Sequence, residues 1–225
     1  MKRFLGLMLC LCAALALSGC GVEYINPYTE IPKPTAVFVI EIESVTYTMR
    51  FTLDPAAAPN TVSNFINLAN SGYYDGLKID YVYPTWFLRG GDPDGDGTGG
   101  PDYTIDGEFE ENGFVLDGMK HTRGVISMCH LNDDFDSAGS QFFIMLSTRA
   151  EFNGKYAAFG YIEPNDAESR ATLDVLERSL LDRSNRPVLK QTILSVRVDT
   201  KGYIYEVIKH GEATPTPAPA MTPGV

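Results

Sequence analysis

The chain has 225 residues, of which 44% are hydrophobic, and it carries 29 Asp and Glu against 18 Lys and Arg, a formal net charge of −11. This hydrophobic share excludes a chain disordered throughout, and the length suits one domain of ordinary size or two small ones. The acidic balance argues against a nucleic-acid partner, because a general nucleic-acid binder needs a basic face.

The first twenty residues are typical of a bacterial lipoprotein signal. Lys2 and Arg3 precede an almost wholly apolar run, Phe4–Leu17, that is too short for a comfortable membrane span and suits a signal peptide. The run ends in Leu17-Ser18-Gly19-Cys20, which resembles a lipobox. We therefore expect cleavage after residue 19 and lipid attachment at Cys20, which would anchor the protein on the extracytoplasmic face of the cell membrane. The alternative is an ordinary secretory signal that happens to contain Cys.

Proline-rich segments flank one predicted domain, at residues 36–210. Residues 20–35 contain three prolines without apolar periodicity, which is typical of an extended linker. Residues 211–225 (GEATPTPAPAMTPGV) are typical of a disordered tail. Since Cys10 and Cys12 would leave with the signal and Cys20 would carry lipid, Cys129 has no partner for a disulfide.

Within the domain, short strands outnumber helices. Strands are predicted at Ala36–Glu43, Val45–Leu53, Ile79–Tyr83, Trp86–Arg89, Val125–Met128, Phe142–Leu146, Ala157–Ile162, Thr192–Val198 and Tyr203–Ile208. Helices are predicted at Pro59–Asn70, where Pro59 suits the first turn and Gly72 the stop, and from Asp166 to about Leu181, with Leu173, Leu176 and Leu180 on one side. This balance predicts an antiparallel barrel or sandwich rather than a parallel α/β sheet.

Several residues could carry chemistry of other kinds. Asp92, Asp94 and Asp96 in the glycine-rich stretch Gly90–Gly100 imitate the start of an EF-hand loop, but position twelve is Tyr103 rather than Glu. A tight glycine loop is therefore favoured over a calcium site. The sequence offers too few further ligands for a metal site at His130, which is better explained as a groove wall residue, and His121 as a turn residue. Ser140 lacks the G-x-S-x-G setting of a serine hydrolase.

Taken in order, the motifs of the domain resemble the cyclophilins. They are Ala58-Pro59-Asn60-Thr61-Val62, Gly72-Tyr73-Tyr74-Asp75-Gly76, Gly90-Gly91-Asp92-Pro93, Gly124-Val125-Ile126-Ser127-Met128 and Gly139-Ser140-Gln141-Phe142-Phe143-Ile144. The resemblance covers about Val37 to Val198. It implies a mainly β fold, a closed antiparallel barrel of about eight strands capped by two α-helices.

The resemblance also implies an activity, peptidyl-prolyl cis-trans isomerisation without a cofactor or metal. In that family an apolar pocket holds the proline ring while an arginine guanidinium donates toward the prolyl nitrogen, which favours the twisted transition state. The implied partners are proline-containing polypeptides, in this case extracytoplasmic clients whose folding the protein assists, and we expect a monomer.

Carried over residue by residue, the resemblance leaves the catalytic apparatus altered. The arginine position holds Tyr81, and Arg89 replaces the glutamine that normally supports the arginine. Gln141 and the pocket floor, Phe143, are retained. The other implied substrate-binding residues are Trp86, Phe87, Cys129, His130, Phe152 and Tyr156, and Glu151 stands where the family has tryptophan.

Two functions remain open at this point. In the first, Arg89 supplies the missing guanidinium from the neighbouring strand, with Tyr81 as a phenol donor, and the isomerase survives with changed efficiency. In the second, Arg89 is spent on an ion pair, and the domain is a weak or inactive proline-binding module or holdase. The acidic run Asp92–Glu111, with eight acids and no base, is expected beside the groove.

Overall fold

The structure of the protein is a computed structural model that describes residues 31–114, 118–212 and 220–221. The predicted signal peptide, Cys20 and most of the linker and tail lie outside these residues. Within the described part, no helix is both long and apolar enough to cross a membrane.

The domain is a closed antiparallel barrel of eight strands, as predicted. The strands are β1 (Thr35–Ile42), β2 (Val45–Leu53), β3 (Lys78–Tyr83), β4 (Phe87–Gly90), β5 (Val125–Met128), β6 (Phe142–Met145), β7 (Ala158–Tyr161) and β8 (Gln191–Asp199). Their order around the barrel is β1-β2-β7-β5-β6-β4-β3-β8, and β8 closes on β1. Alternate side chains fill the interior: on β2, Met49, Phe51 and Leu53 are fully buried.

Two helices cap the barrel. Helix α1 (Pro59–Asn70) has the predicted bounds, begins with proline and buries Val62 and Phe65. Helix α2 (Ala167–Glu177) is capped at its N-terminus by Asp166, whose carboxylate accepts a hydrogen bond from the Ser169 amide at 3.0 Å. Phe65 joins an aromatic cluster inside the barrel, with its ring centroid 5.0 Å from that of Phe159.

The end of α2 differs from the prediction, which carried the helix to about Leu181. The helix ends at Glu177, and Leu180 is 74% exposed rather than packed with Leu173 and Leu176. The Leu176 carbonyl, which a continuing helix would offer to the Leu180 amide, accepts the Gln191 side chain at 3.3 Å and the Ser179 amide at 3.4 Å. A loop follows, in which the Leu180 carbonyl accepts the Val188 amide at 2.8 Å.

The prediction of the last strand, Tyr203–Ile208, is also wrong, both in its length and in the strand with which it pairs. Only β9 (Tyr203–Ile204) is a strand, and it pairs with β10 (Ala220–Met221), inside the predicted disordered tail, rather than with the barrel. The chain beyond Ile204 instead lies along α1. There the Asn60 side chain exchanges two hydrogen bonds of 2.8 Å with the backbone of Ile208.

A buried carboxylate from a distant loop caps the start of α1. The residue that precedes the helix, Ala58, has no side chain that can cap it. Glu108 takes this place: its oxygens accept the Asn60 amide at 2.9 Å and the Thr61 amide and hydroxyl at 2.7 Å each. Burial raises the pKa of Glu108 to about 7, even though these three hydrogen bonds act in the opposite direction.

Candidate active site

The candidate site lies on the outer face of four neighbouring strands. Tyr81 on β3 pairs with Arg89 on β4, Arg89 pairs with Phe143 on β6, and Phe143 pairs with Ser127 on β5. Residues directly opposite each other on neighbouring strands point to the same face. The adjacent row, Val82, Leu88, Ile144 and Ile126, points inward and is fully buried.

This outer row opens into a groove with a volume of about 640 Å³. Nine of the ten groove residues expected from the sequence line it: Tyr81, Phe87, Arg89, Cys129, His130, Gln141, Phe143, Phe152 and Tyr156. The tenth, Trp86, does not. It precedes β4 in the turn after β3, and its ring lies 4.1 Å below the Arg149 guanidinium and packs edge-on against Phe152.

The apolar part of the groove is built around Phe143, which is 3% exposed. Three aromatic rings surround it, with centroid distances of 5.5 Å to Phe87, 5.7 Å to Phe152 and 5.2 Å to Tyr156. Such a cluster of rings forms a preorganised apolar surface for a small ring, and the polar groups around it can fix the orientation of the attached backbone.

A histidine lies behind this cluster where the sequence predicts only a turn residue. His121 is 1% exposed, and its ring stacks on Phe143 with the planes 14° apart. Its Nε2 is 2.9 Å from the Ser127 hydroxyl and its Nδ1 is 3.2 Å from the Asn153 side-chain oxygen. Burial lowers the pKa of His121 to about 4, so the ring supports the groove floor as a neutral group.

His130 and Cys129 form another wall of the groove. The His130 ring is stacked between Phe109 and Tyr156, at centroid distances of 5.0 and 4.6 Å. Both of its nitrogens lie within hydrogen-bond distance of backbone carbonyl oxygens. The thiol of Cys129 is partly buried, and burial raises its pKa to about 12 although the Arg89 charge opposes that change. It is therefore a poor nucleophile.

The guanidinium of Arg89 lies in the groove and forms an ion pair with Asp80. Its central carbon is 5.6 Å from the centroid of the Tyr81 ring. A bulge in β3 brings these groups together, because the pairing with β4 skips Asp80 between Ile79 and Tyr81. Burial opposes the charge, but the hydrogen bond and the charge of Asp80 raise the pKa of Arg89 above its ordinary value.

The glycine-rich loop borders the groove next to Arg89. Oδ1 of Asp92 accepts the amides of Asp94 and Gly99 at 3.0 and 3.1 Å, and Oδ2 accepts the Gly97 amide. Gln141 fixes the loop from the other side, since its amide donates to the carbonyls of Gly97 and Gly99. The Asp92 carboxylate thus organises the loop backbone, in keeping with the tight glycine loop favoured over a calcium site.

One set of possible metal ligands occurs among the described residues, away from the groove lining. Asp106, Asp136 and His210 place one donor atom each within 4.8 Å of one another. Their donors are already engaged: His210 bonds to Asp106, and Asp136 accepts the Gly107 amide at 3.0 Å and the Asn112 side chain at 2.7 Å. These bonds tie His210 to the loop of Asp106, and tie Asp136 to Gly107 and Asn112.

The fold and the groove define a closed barrel with an aromatic pocket on its outer face beside a guanidinium. A sequence profile described as cyclophilin type peptidyl-prolyl cis-trans isomerase/CLD matches residues 37–198. Peptidyl-prolyl cis-trans isomerase B of Bacillus subtilis is 45% identical over 114 residues, which cover 51% of this chain and 75% of that protein. A peptidyl-prolyl cis-trans isomerase of Synechococcus elongatus is 36% identical over 129 residues, covering 57% and 81%.

The fold agrees with a solved structure of the same kind. The crystal structure of a Cryptosporidium parvum cyclophilin-type peptidyl-prolyl cis-trans isomerase, determined in the presence of the dipeptide Ala-Pro, has a TM-score of 0.63 and 27% sequence identity. The match covers 74% of this chain and 99% of that one. The chain therefore belongs to the cyclophilin-type peptidyl-prolyl cis-trans isomerase family, and it is an enzyme of that family.

Proposed function

We propose that the groove isomerises X-Pro bonds of extracytoplasmic polypeptides, with the Arg89 guanidinium in the place of the arginine that the family carries at the position of Tyr81. The observation that supports this role is the strand register. Arg89 pairs directly with Phe143, so both side chains occupy the same outer face and line the same cavity. A proline ring on Phe143 would have the guanidinium beside it.

The chemistry requires only binding and charge placement. Rotation about the X-Pro amide breaks its conjugation, which gives an uncatalysed barrier of about 18–20 kcal/mol. The rings around Phe143 hold the proline while Arg89 donates toward the prolyl nitrogen, whose lone pair becomes available only as the amide twists. The donor therefore stabilises the transition state more than either planar state, and this difference lowers the barrier. Gln141 holds the loop that borders Arg89, and the Tyr81 phenol is a second donor in the groove.

A second candidate function has its own observation. One nitrogen of the Arg89 guanidinium is already paired with the buried carboxylate of Asp80. If this pair withholds the guanidinium from the substrate, the groove binds proline segments and catalyses their isomerisation weakly. The two candidates make opposite predictions about the Arg89 side chain.

The test compares catalysis with binding in the same variants. We expect Arg89→Ala to lower kcat/KM by about 100- to 1,000-fold for an Ala-Pro peptide in a protease-coupled assay, the usual cost of removing one preorganised donor. Arg149→Ala, which removes an arginine stacked on Trp86 outside the groove, is the matched control and should keep wild-type activity. Phe143→Ala should abolish peptide binding in calorimetry.

The outcomes separate the candidates. If Arg89→Ala keeps the wild-type rate, the proposed catalytic role fails. If the wild-type protein does not accelerate isomerisation but binds the peptide, and Phe143→Ala loses that binding, the domain is a binding module.

The location is a proposal that rests on the sequence. The leader and the lipobox-like Leu17-Ser18-Gly19-Cys20 support lipid attachment at Cys20 on the extracytoplasmic face of the membrane. We expect Cys20→Ser to abolish incorporation of a palmitate analogue and to move the protein from the membrane fraction to the soluble extracytoplasmic fraction. Cys129→Ser is the matched control. Equal labelling of Cys20→Ser and the wild-type protein would refute the anchor.

A further inference from the structure

Asp80 is a buried charged residue in β3, next to the buried Ile79 and the half-buried Tyr81. It is 8% exposed, between Ile79 at 2% on one side and the strand residues Tyr81 and Val82 on the other. A carboxylate is rarely buried without a partner, because it loses its hydration. Its partner is Arg89, which reaches it across the β3 bulge.

The Arg89 guanidinium has neighbours on three sides. Nη2 is bonded to Asp80, the Tyr81 ring lies 5.6 Å away, and Nη1 is directed at Gly97. The last contact is close enough that a Cβ on Gly97 would lie 3.0 Å from Nη1. Gly97 lines the groove, whereas Asp80 does not. The carboxylate therefore holds the guanidinium from behind and leaves the Nη1 side at the groove.

The ion pair between Asp80 and Arg89 leaves some of its hydrogen-bonding atoms without partners. Within the described residues, Oδ1 of Asp80 and Nε of Arg89 are buried without a hydrogen-bond partner. A side-on pair with two parallel hydrogen bonds would satisfy both atoms. The other neighbours of the guanidinium are the Tyr81 ring and Gly97, both of which line the groove.

We propose that Asp80 is a positioning residue for the reaction: its carboxylate keeps the Arg89 guanidinium at the height of the proline pocket without touching the substrate. This inference rests on the proposed catalytic role of Arg89 and adds the group that makes the role possible. Arginine has a long, flexible side chain, and a donor contributes to catalysis in proportion to how well it is held before the substrate arrives.

The test is a double-mutant cycle between Asp80 and Arg89. Asp80→Asn keeps the shape of the side chain and removes its charge. We expect kcat to fall about 10- to 100-fold, the usual range for a residue that orients a functional group, while KM stays within about 2-fold because the rings around Phe143 are unchanged. In an Arg89→Ala background the same substitution should have no further effect on kcat. A merely structural role would lower activity in both backgrounds.

Asp174→Asn is the matched control, since Asp174 forms an Arg–Asp ion pair with Arg123 away from the groove. It should leave kcat and KM unchanged. Thermal melts identify variants that do not fold. If Asp80→Asn does not fold, Asp80→Glu gives a second measurement, because it keeps the charge and moves it by one methylene. We expect a smaller fall in kcat for this variant, and full kcat would count against the proposal.

Three results would overturn the inference, and they differ from failure of the proposed function. Full kcat in a folded Asp80→Asn protein, or an equal loss in the Arg89→Ala background, would show that Asp80 does not act through Arg89. A rise in kcat would show that the carboxylate withholds the guanidinium. An inactive wild-type protein would instead overturn the proposed catalytic role of Arg89 and this inference with it.

Discussion

The cap that Glu108 provides to α1 makes a specific prediction about the pH dependence of stability. The change is Glu108→Gln, which keeps the size of the side chain but cannot ionise. The folded protein holds the pKa of this carboxyl at about 7, above its ordinary value of 4.5, and the largest cause is burial. Between these two values the folded state binds more protons than the unfolded state, so this group makes stability fall as the pH rises.

The size of the effect follows from the two pKa values. A shift of one unit corresponds to about 1.4 kcal/mol, and the stabilisation by Glu108 is fully present below pH 4.5 and lost as the pH rises through 7. Between pH 5 and pH 8 the free energy of unfolding of the wild-type protein should therefore fall by about 2–3 kcal/mol more than that of Glu108→Gln. His121, whose lowered pKa acts in the opposite direction, is common to both proteins and cancels in the difference.

Urea unfolding followed by the fluorescence of Trp86, the single tryptophan of the chain, measures this difference. Glu110→Gln removes the same charge from an exposed side chain two residues along and is the matched control; it should keep the wild-type slope against pH. Equal slopes for Glu108→Gln and the wild-type protein would contradict a raised pKa, since the carboxyl would then ionise alike in the folded and unfolded states.

Three further predictions concern the groove and its support. Because burial raises the pKa of Cys129 to about 12, alkylation of its thiol at pH 8 should be about 1,000-fold slower in the folded protein than in urea. Equal alkylation rates in the two states would contradict this. Gly97→Ala should lower kcat about 10-fold by displacing Arg89. Gly95→Ala is the control, since Gly95 also has a positive φ but has open space around it, and this change should lower only the stability. Equal kcat in the two variants would count against the contact between Gly97 and Arg89. His121→Ala, which leaves the buried Ser127 hydroxyl without its partner, should lower the free energy of unfolding by about 2 kcal/mol, and unchanged urea unfolding would contradict that support.

Local signals explain which elements could be predicted from the sequence. The bounds of α1 were predictable because its proline start and its glycine stop lie in the segment itself. The end of α2 was not, because it involves contacts with later residues, among them the Gln191 side chain that donates to the Leu176 carbonyl. The same holds for the chain after Ile204, whose position depends on side chains of α1 more than a hundred residues earlier.

The candidate site divides in the same way. The resemblance supplied nine groove residues and wrongly included Trp86, because the spacing within each motif carries most of them. It missed Asp80 and the supporting role of His121. Period-two alternation places Ile79 and Tyr81 on one face of β3, but the bulge turns Ile79 into the core and Tyr81 to the groove. The signal available for Asp80 was a carboxylate between Ile79 and Tyr81, on a predicted strand next to the one that carries Arg89.

If Arg89 acts as proposed, the position of Asp80 would explain how a guanidinium from β4 serves a groove whose family arginine aligns with Tyr81 on β3. Neighbouring strands lie about 4.8 Å apart, so the backbone at Tyr81 is two strands from Phe143 whereas that at Arg89 is one strand away. An arginine at position 89 that extended straight outward would therefore lie about one strand spacing nearer to Phe143 than a side chain from β3. To place its nitrogens where a side chain from β3 would place them, it must lean toward β3. Asp80 and Tyr81 both lie on that strand, and both draw the guanidinium in that direction.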